Sequence, residues 1–424
     1  MLTAMILTVF GLGYLGIILE YNIRINKTAV ALLIAVLCWT IYFESSHLPL
    51  EQDLKVLGTH LSDVSQIIFF LMVAMTLVEL IDSHKGFKIV TDIVRTNSKR
   101  KMLWIVSLTA FFLSAVLDNL TTTILMISLL RKMIPTRQER FLLSCIVVVA
   151  ANAGGAWTPI GDVTTTMLWI NGQISTLSIM KALLLPSMVS LLLPILYYSI
   201  RHKGSYSATN GEQADATPEP GARLVFFLGI GALIFVPIFK TLTGLPPFMG
   251  MLIGLAALWL ITDLLHHKYE HRQHLRVPAI LTKIDTSSVL FFLGILLAIN
   301  ALETAGILNK LALFLEAEVK SQVVIATCIG MLSAIIDNVP LVAGTMGMYP
   351  LVQFPMDSPL WHMIAYAAGT GGSLLLIGSS AGVALMGLEK ISFFGYMRKM
   401  TLPVLIGYLA GMAAYLLQKY LFIS

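Results

Sequence analysis

The chain has 424 residues, 57% of them hydrophobic and only 12% charged, with a mean hydropathy of +0.83. A soluble domain carries about 25% charged residues, which excludes a soluble enzyme and leaves an all-α polytopic membrane protein. The formal net charge of +5 fits basic cytoplasmic loops rather than a nucleic-acid partner. Cys38, Cys145 and Cys328 all sit in apolar runs, as small hydrophobes and not as a disulfide framework or metal site.

One span takes about 20 apolar residues, so this length allows roughly ten to twelve spans. The first run, Met1–Leu19, lacks a basic leader and a small-residue cleavage site, and reads as a retained span. Further runs lie at 28–43, 64–82, 102–130, 141–170 and 177–200. Gly204–Gly221 has no large apolar residue except Tyr206 and reads as a flexible linker. Runs then return at 223–240, 247–265, 288–302, 322–352, 361–388 and 401–423, in the same order of lengths as before the linker.

The run 102–130 is long for one span and short for two. Its centre is polar, with Ser114, Asp118, Asn119, Thr121, Thr122 and Thr123, and both flanks are basic. Basic loops stay in the cytoplasm, so both ends share one side. A re-entrant hairpin follows, tolerable only where protein or a water-filled cavity surrounds its tip. With a second hairpin at 322–352, ten full spans remain and both termini fall outside. Only Lys55, Lys181, Lys240, Lys310, Lys320 and Lys419 of the 28 Lys and Arg then face outward.

Three matches reveal an internal repeat. Ser114-Ala-Val-Leu-Asp118-Asn119 recurs as Ser333-Ala-Ile-Ile-Asp337-Asn338. Gly154-Gly155 with Ile160-Gly161 recurs as Gly371-Gly372 with Ile377-Gly378, and Phe69-Phe70-Leu71 as Phe291-Phe292-Leu293. Each half holds five spans, an odd number, so the halves are expected to be inverted. The expected units are 1–203 (hairpin 102–130, broken helix 141–170), a cytoplasmic linker 204–222, and 223–424 (hairpin 322–352, broken helix 361–388). Inverted repeats with interrupted helices are a transporter architecture with the site at the midplane.

Asp118 and Asp337 fall at the two hairpin tips, where a carboxylate costs a few kcal/mol or more and marks function by default. The structural alternative is a buried hydrogen bond; recurrence beside Asn in both halves argues against it. In Asn152–Thr166, two glycines, a proline and a third glycine break an apolar span, exposing backbone groups beside Asp162, Thr164 and Thr165. The bland reading there is a kinked helix whose hydroxyls bond their own backbone. The matching stretch through Ser373, Ser379 and Ser380 is equally broken but has no carboxylate. All these groups are oxygen donors, which suit hard cations; no cofactor is expected. Glu79 and Asp82, like Glu303 in the second half, read first as helix-end residues near the interface and second as a proton path. His266, His267, His271 and His274 read as a solvated basic loop ahead of a pH sensor. Trp39, Trp104, Trp169 and Trp361 read as interfacial anchors.

SAVLDNLTTT, ANAGGAWTPIGDVTTTMLW, SAIIDNVPLVAG and GTGGSLLLIGSSAGVALMG resemble NhaD-type sodium/proton antiporters of the ion transporter superfamily, over about Phe69 to Arg398. The resemblance implies a homodimer whose protomers each have a scaffold and a transport domain, and elevator-like alternating access. It also implies a bacterial cytoplasmic membrane, and Na⁺ and H⁺ as partners with Li⁺ as a further cation. Position by position, it points to a cation site of Asp118, Asn119, Asn152, Asp162, Thr164, Thr165, Ser333, Asp337, Asn338 and Ser373. Thr121, Thr122, Ser379, Ser380, Glu79 and Asp82 are secondary candidates. Dicarboxylate carriers of the superfamily carry Ser-Asn-Thr at the hairpin tips, where this chain has Asp-Asn-Leu and Asp-Asn-Val. That difference favours a cation over an organic anion or oxyanion, which remains the rival substrate.

Overall fold

A computed structural model describes residues 2–18, 20, 25–46, 48–91, 96, 98–134, 136–201, 204–206 and 219–422. Most of the expected linker (207–218), its flanking Lys203, and Met1 and Ser424 at the chain ends lie outside the described residues.

In chain order, α1 (Leu2–Ile18), α2 (Lys27–Ser45) and α3 (Leu50–Ser83) lead through the short α4 (Lys88–Thr91) to a hairpin, α5 (Lys99–Ser114) and α6 (Asn119–Met133). Then come α7 (Arg137–Gly155), α8 (Val163–Ile170) and α9 (Thr176–Arg201). Beyond the linker lie α10 (Ala222–Thr243), α11 (Pro247–His266), a 3₁₀ turn (Glu270–Leu275), α12 (Val277–Leu281), α13 (Thr286–Thr304) and α14 (Ile307–Val319). A second hairpin, α15 (Gln322–Leu332) and α16 (Asn338–Met348), precedes α17 (Pro359–Gly371), α18 (Ser380–Glu389) and α19 (Phe393–Phe422). Among the described residues, seven helices are long and apolar enough to cross a membrane, so this is a multi-pass membrane protein.

Each run expected to form a hairpin folds as two helices joined by a short turn, which carries Asp118 in the first and Asp337 in the second. Both runs expected to break do so, between Gly155 and Val163 and between Gly371 and Ser380. The glycines explain how these pieces join. A Cβ on Gly154 would strike the carbonyl of Phe111 in the first hairpin, and one on Gly371 the carbonyl of Gly330 in the second. Ser114 Oγ donates to Ala151 O at 2.6 Å, and Ser333 Oγ to Ala368 O at 3.0 Å. Each hairpin is therefore pinned, at backbone contact, to the broken helix of its own half. Elsewhere α9 packs along α19 and α2 along α13, while α3 lies against α11 and α13.

Several expectations need correction. α3 starts at Leu50, not near 64, because Glu51 and Asp53 suit a helix's first turn. α14 was not expected; at 13 residues it is too short for a span, and its Leu313 and Phe314 stay exposed. Trp39, Trp169 and Trp361 are buried rather than interfacial, with Trp39 Nε1 donating to Leu297 O at 2.9 Å and Trp361 Nε1 to Phe354 O at 2.9 Å. His266 is not in a solvated loop. It ends α11 fully buried against His84, while His267, His271 and His274 are exposed.

Candidate functional site

Four helix N-termini meet where the two breaks and the two hairpin tips converge. Asp118 caps α6, Asp162 caps α8, Asp337 caps α16 and Ser379 caps α18. A cap oxygen satisfies N–H groups that the first turn leaves without partners, and a carboxylate also offsets the positive end of the helix dipole.

Asp162 sits at the centre and is 2% exposed. Its Oδ1 accepts from Thr164 N at 3.1 Å. Asn119 Nδ2, from the first hairpin tip, donates to Oδ2 at 2.8 Å. Asn338 Nδ2, from the second tip, approaches Oδ2 at 3.3 Å and Oδ1 at 3.4 Å. Asn119 Nδ2 also donates to Asn152 Oδ1 at 3.0 Å, and Asn152 Nδ2 donates to Ser373 Oγ and Ser379 Oγ, both at 2.9 Å. Asn119, Asn152, Asn338, Ser373 and Ser379 are all buried. One continuous polar network thus joins both hairpin tips and both broken helices.

The other candidates sort around this network. Asp118 is half-buried, with Oδ1 accepting from Thr121 N at 2.7 Å and Oδ2 from Thr121 Oγ1 at 2.8 Å. Its backbone is strained, at φ 127° and ψ 164°, a region that is essentially glycine's. Asp337, also half-buried, holds Val339 N at 3.2 Å with ordinary backbone angles. Thr165 Oγ1 donates to Asp162 O at 2.9 Å, so its proton is spent locally, as in the kinked-helix reading. Ser333 serves the hairpin contact described above. Thr122 and Thr164, in the first turns of α6 and α8, have fully buried hydroxyls with no hydrogen-bond partner. Unpaired buried hydroxyls are costly and are ready oxygen ligands. Ser380 opens α18 beside Ser379.

Glu79 and Asp82 are not part of this centre. Glu79, near the end of α3, accepts from Ser83 Oγ at 3.1 Å and lies 3.9 Å from Lys283 Nζ, while Asp82 is exposed. A further buried acid, Glu389 at the end of α18, went unremarked in the sequence. It takes Arg131 Nε on Oε1 at 2.7 Å and Arg140 Nε on Oε2 at 2.9 Å. A lone acid ending an apolar run looks like Glu79 in sequence, and nothing local announces two distant arginines.

The arrangement offers one buried carboxylate, side-chain amide oxygens and free hydroxyls, a donor set for a small hard cation or a proton. A multi-pass helical protein with such a centre at paired helix breaks belongs to the membrane transporters, not the enzymes, and its likeness to known proteins agrees. Residues 14–364 match the citrate transporter (CitMHS) family model. Sodium/proton antiporter 2 of Arabidopsis thaliana is 49% identical, with 96% of this chain and 97% of that protein covered. Sodium/proton antiporter 1 of the same plant is 53% identical over 96% of this chain and 71% of its own length. The Na⁺/H⁺ antiporter NhaD of Halomonas elongata is 30% identical over 97% and 87%. The chain belongs to the NhaD-type sodium/proton antiporters of the ion transporter superfamily.

Proposed function

We propose that the protein exchanges Na⁺ for H⁺, with Li⁺ as an alternative cation, by letting one set of intramembrane aspartates hold either ion but not both. The observation that carries this reading is that three of the four converging helix N-termini already hold a carboxylate of the chain itself. In an anion carrier those positive ends would be free for the substrate. Here the anion is built in, and what it lacks is a counter-charge. Burial penalises a bare carboxylate, so Asp162 is neutralised by a proton or by Na⁺ bound with amide and hydroxyl oxygens. The empty, charged site crosses rarely for the same reason, which couples the two ions.

The inverted arrangement of 1–203 and 223–424, the two hairpins entering from opposite sides and the elevator-like movement belong to the same proposal. In its support, residues assigned to one side of the membrane by charge count meet one another. Arg131 and Arg140 reach Glu389, Lys85 reaches Glu219 at 2.9 Å, and Lys240 reaches the carbonyl of Trp169 at 2.7 Å. A homodimer in a bacterial cytoplasmic membrane is the setting we assign; the plant relatives would place close kin in plant membranes as well.

The test is a vesicle assay. In everted vesicles with a preformed proton gradient, Na⁺ and Li⁺ should dissipate it. Na⁺-dependent uptake of labelled citrate or succinate, without such dissipation, would replace this reading with an organic-anion carrier, as the family description "citrate transporter" suggests.

A further inference from the structure

Away from the ion site, four helix ends enclose a crevice of about 400 Å³. The starts of α5 and α7, the end of α9 and the first turns of α19 line it with Lys99, Glu139, Phe141, Leu142, Tyr198 and Lys399. These four helices pack on one another, and Tyr198 Oη donates to Lys399 O. Lys99, Arg137, Arg201 and Arg398 mark the four ends, so the charge rule predicts that the crevice opens on the cytoplasmic side.

Its rim is positive. Lys399 is exposed, and its Nζ lies over the Phe141 ring, 4.5 Å from the centroid. Among the described residues no carboxylate pairs with it. Lys99 Nζ stands 3.5 Å from Glu139 Oε1, long for a charged pair, and 5.1 Å from the centre of the Tyr206 ring. Two ammonium groups thus face one loosely held carboxylate. Each carries three N–H donors, more than these contacts use. Below the rim the surface is hydrocarbon. Phe141 and Leu142 are half-buried in the wall. Leu402, Ile406 and Leu409 follow Lys399 at helical spacing on the same face of α19, and all three are exposed. Trp104, half-buried with Nε1 on Ser199 Oγ at 3.1 Å, and the exposed Tyr197 set amphipathic rings near the same end, as at a membrane–water interface.

We propose that this crevice binds an anionic phospholipid of the cytoplasmic leaflet, its phosphate held by Lys99 and Lys399 and an acyl chain lying along Leu402, Ile406 and Leu409. A cationic rim above an apolar stripe fits an amphiphile with a negative head, and basic pockets between membrane helices recognise acidic headgroups in this way. A small free anion would leave the stripe uncovered. Glu139 opposes any anion, so holding one takes both lysines. Lys99 opens the first hairpin and Lys399 belongs to α19, so one headgroup bridges the two. The site is independent of the exchange reading above.

The test uses the full chain in detergent, given phosphatidylglycerol or phosphatidylcholine and read by native mass spectrometry. The wild type should retain phosphatidylglycerol with at least about tenfold preference, and that lipid should raise its Tm. Lys99→Gln and Lys399→Gln should each cut the preference about fivefold, and together abolish it along with the rise in Tm. Lys268→Gln, a basic position outside the crevice, should change nothing. Glycerophosphoglycerol, the same headgroup without acyl chains, should not displace the lipid at equal concentration. Displacement would mean a site for a free phosphate ester and would overturn the proposal. Equal retention of the two lipids by the wild type would overturn it too, as would a preference that survives the double substitution or falls as far in Lys268→Gln. If the double variant does not fold, Lys399→Gln alone decides, since its side chain is exposed: an unchanged preference there contradicts the site.

Discussion

Asn338, at the tip of the second hairpin, points its side-chain amide at Asp162 on the broken helix of the first half, 3.3 Å from Oδ2. Asn119, at the tip of the first hairpin, does the same at 2.8 Å. Two residues that match within the internal repeat therefore serve a carboxylate that does not. The site is asymmetric: where the first half has Asp162, the second has Ser379, which accepts from Asn152.

Removing Asn338 should show what the cross-half contact is worth. A hydrogen bond to a charged group contributes about 1.5–3 kcal/mol, so Asn338→Ala should cut exchange or apparent Na⁺ affinity by tenfold or more while the protein remains in the membrane. Rates and half-maximal Na⁺ concentrations from everted vesicles check this; wild-type values would make the contact incidental.

The hairpin-tip aspartates separate ion binding from capping. Asp118→Asn and Asp337→Asn keep a side-chain oxygen for the cap but lose the charge, and each should abolish Na⁺-dependent proton movement at normal membrane abundance. Asp118→Gly relieves a backbone strain of about 1–3 kcal/mol and, as a cap, costs only about a few tenths of a kcal/mol. If Asp118 were only structural, the glycine variant would still exchange, which vesicle assays would reveal.

Much of this centre was legible in the sequence because polar residues and paired glycines stand out in an apolar chain. The hairpins, the breaks and the Asp-Asn pairs all announced themselves through composition. What the sequence did not carry was direction. It did not say that the asparagines of both tips would converge on Asp162, that Thr165 would turn its proton to the backbone carbonyl of Asp162, or that His266 would leave its loop for His84. These depend on helix phase and on partners that in the widest cases lie 176 and 182 residues away. α14 was missed because a 13-residue amphipathic helix falls below the length that marks a span.

The glycine joints predict a sharp positional contrast. Gly371→Ala must displace the backbone of Gly330, so overpacking of about 1–3 kcal/mol should lower Tm in detergent and impair exchange. Gly344→Ala, in the second hairpin, has open space around its Cβ and should be neutral or stabilising by up to about 1 kcal/mol. Equal effects of the two substitutions would deny that the hairpin packs at backbone contact.

Topology can be checked at the linker. Arg201, Lys203 and Arg223 flank it, so the charge rule predicts that it faces the cytoplasm. A single cysteine at Asn210 in a cysteine-free background should resist an impermeant thiol reagent in whole cells and react in everted vesicles. Labelling from outside would overturn the span count together with both hairpins.

The central claim is competition between Na⁺ and H⁺ for one buried carboxylate set, and proton release measures it directly. Purified protein in weakly buffered solution near neutral pH is titrated with NaCl, with choline chloride as the ionic-strength control, while the released protons are followed with a pH dye. The account predicts saturable proton release on Na⁺ addition, absent with choline and lost in Asp162→Asn. Sodium that binds without releasing protons, or an Asp162→Asn protein that releases as many as the wild type, would contradict it.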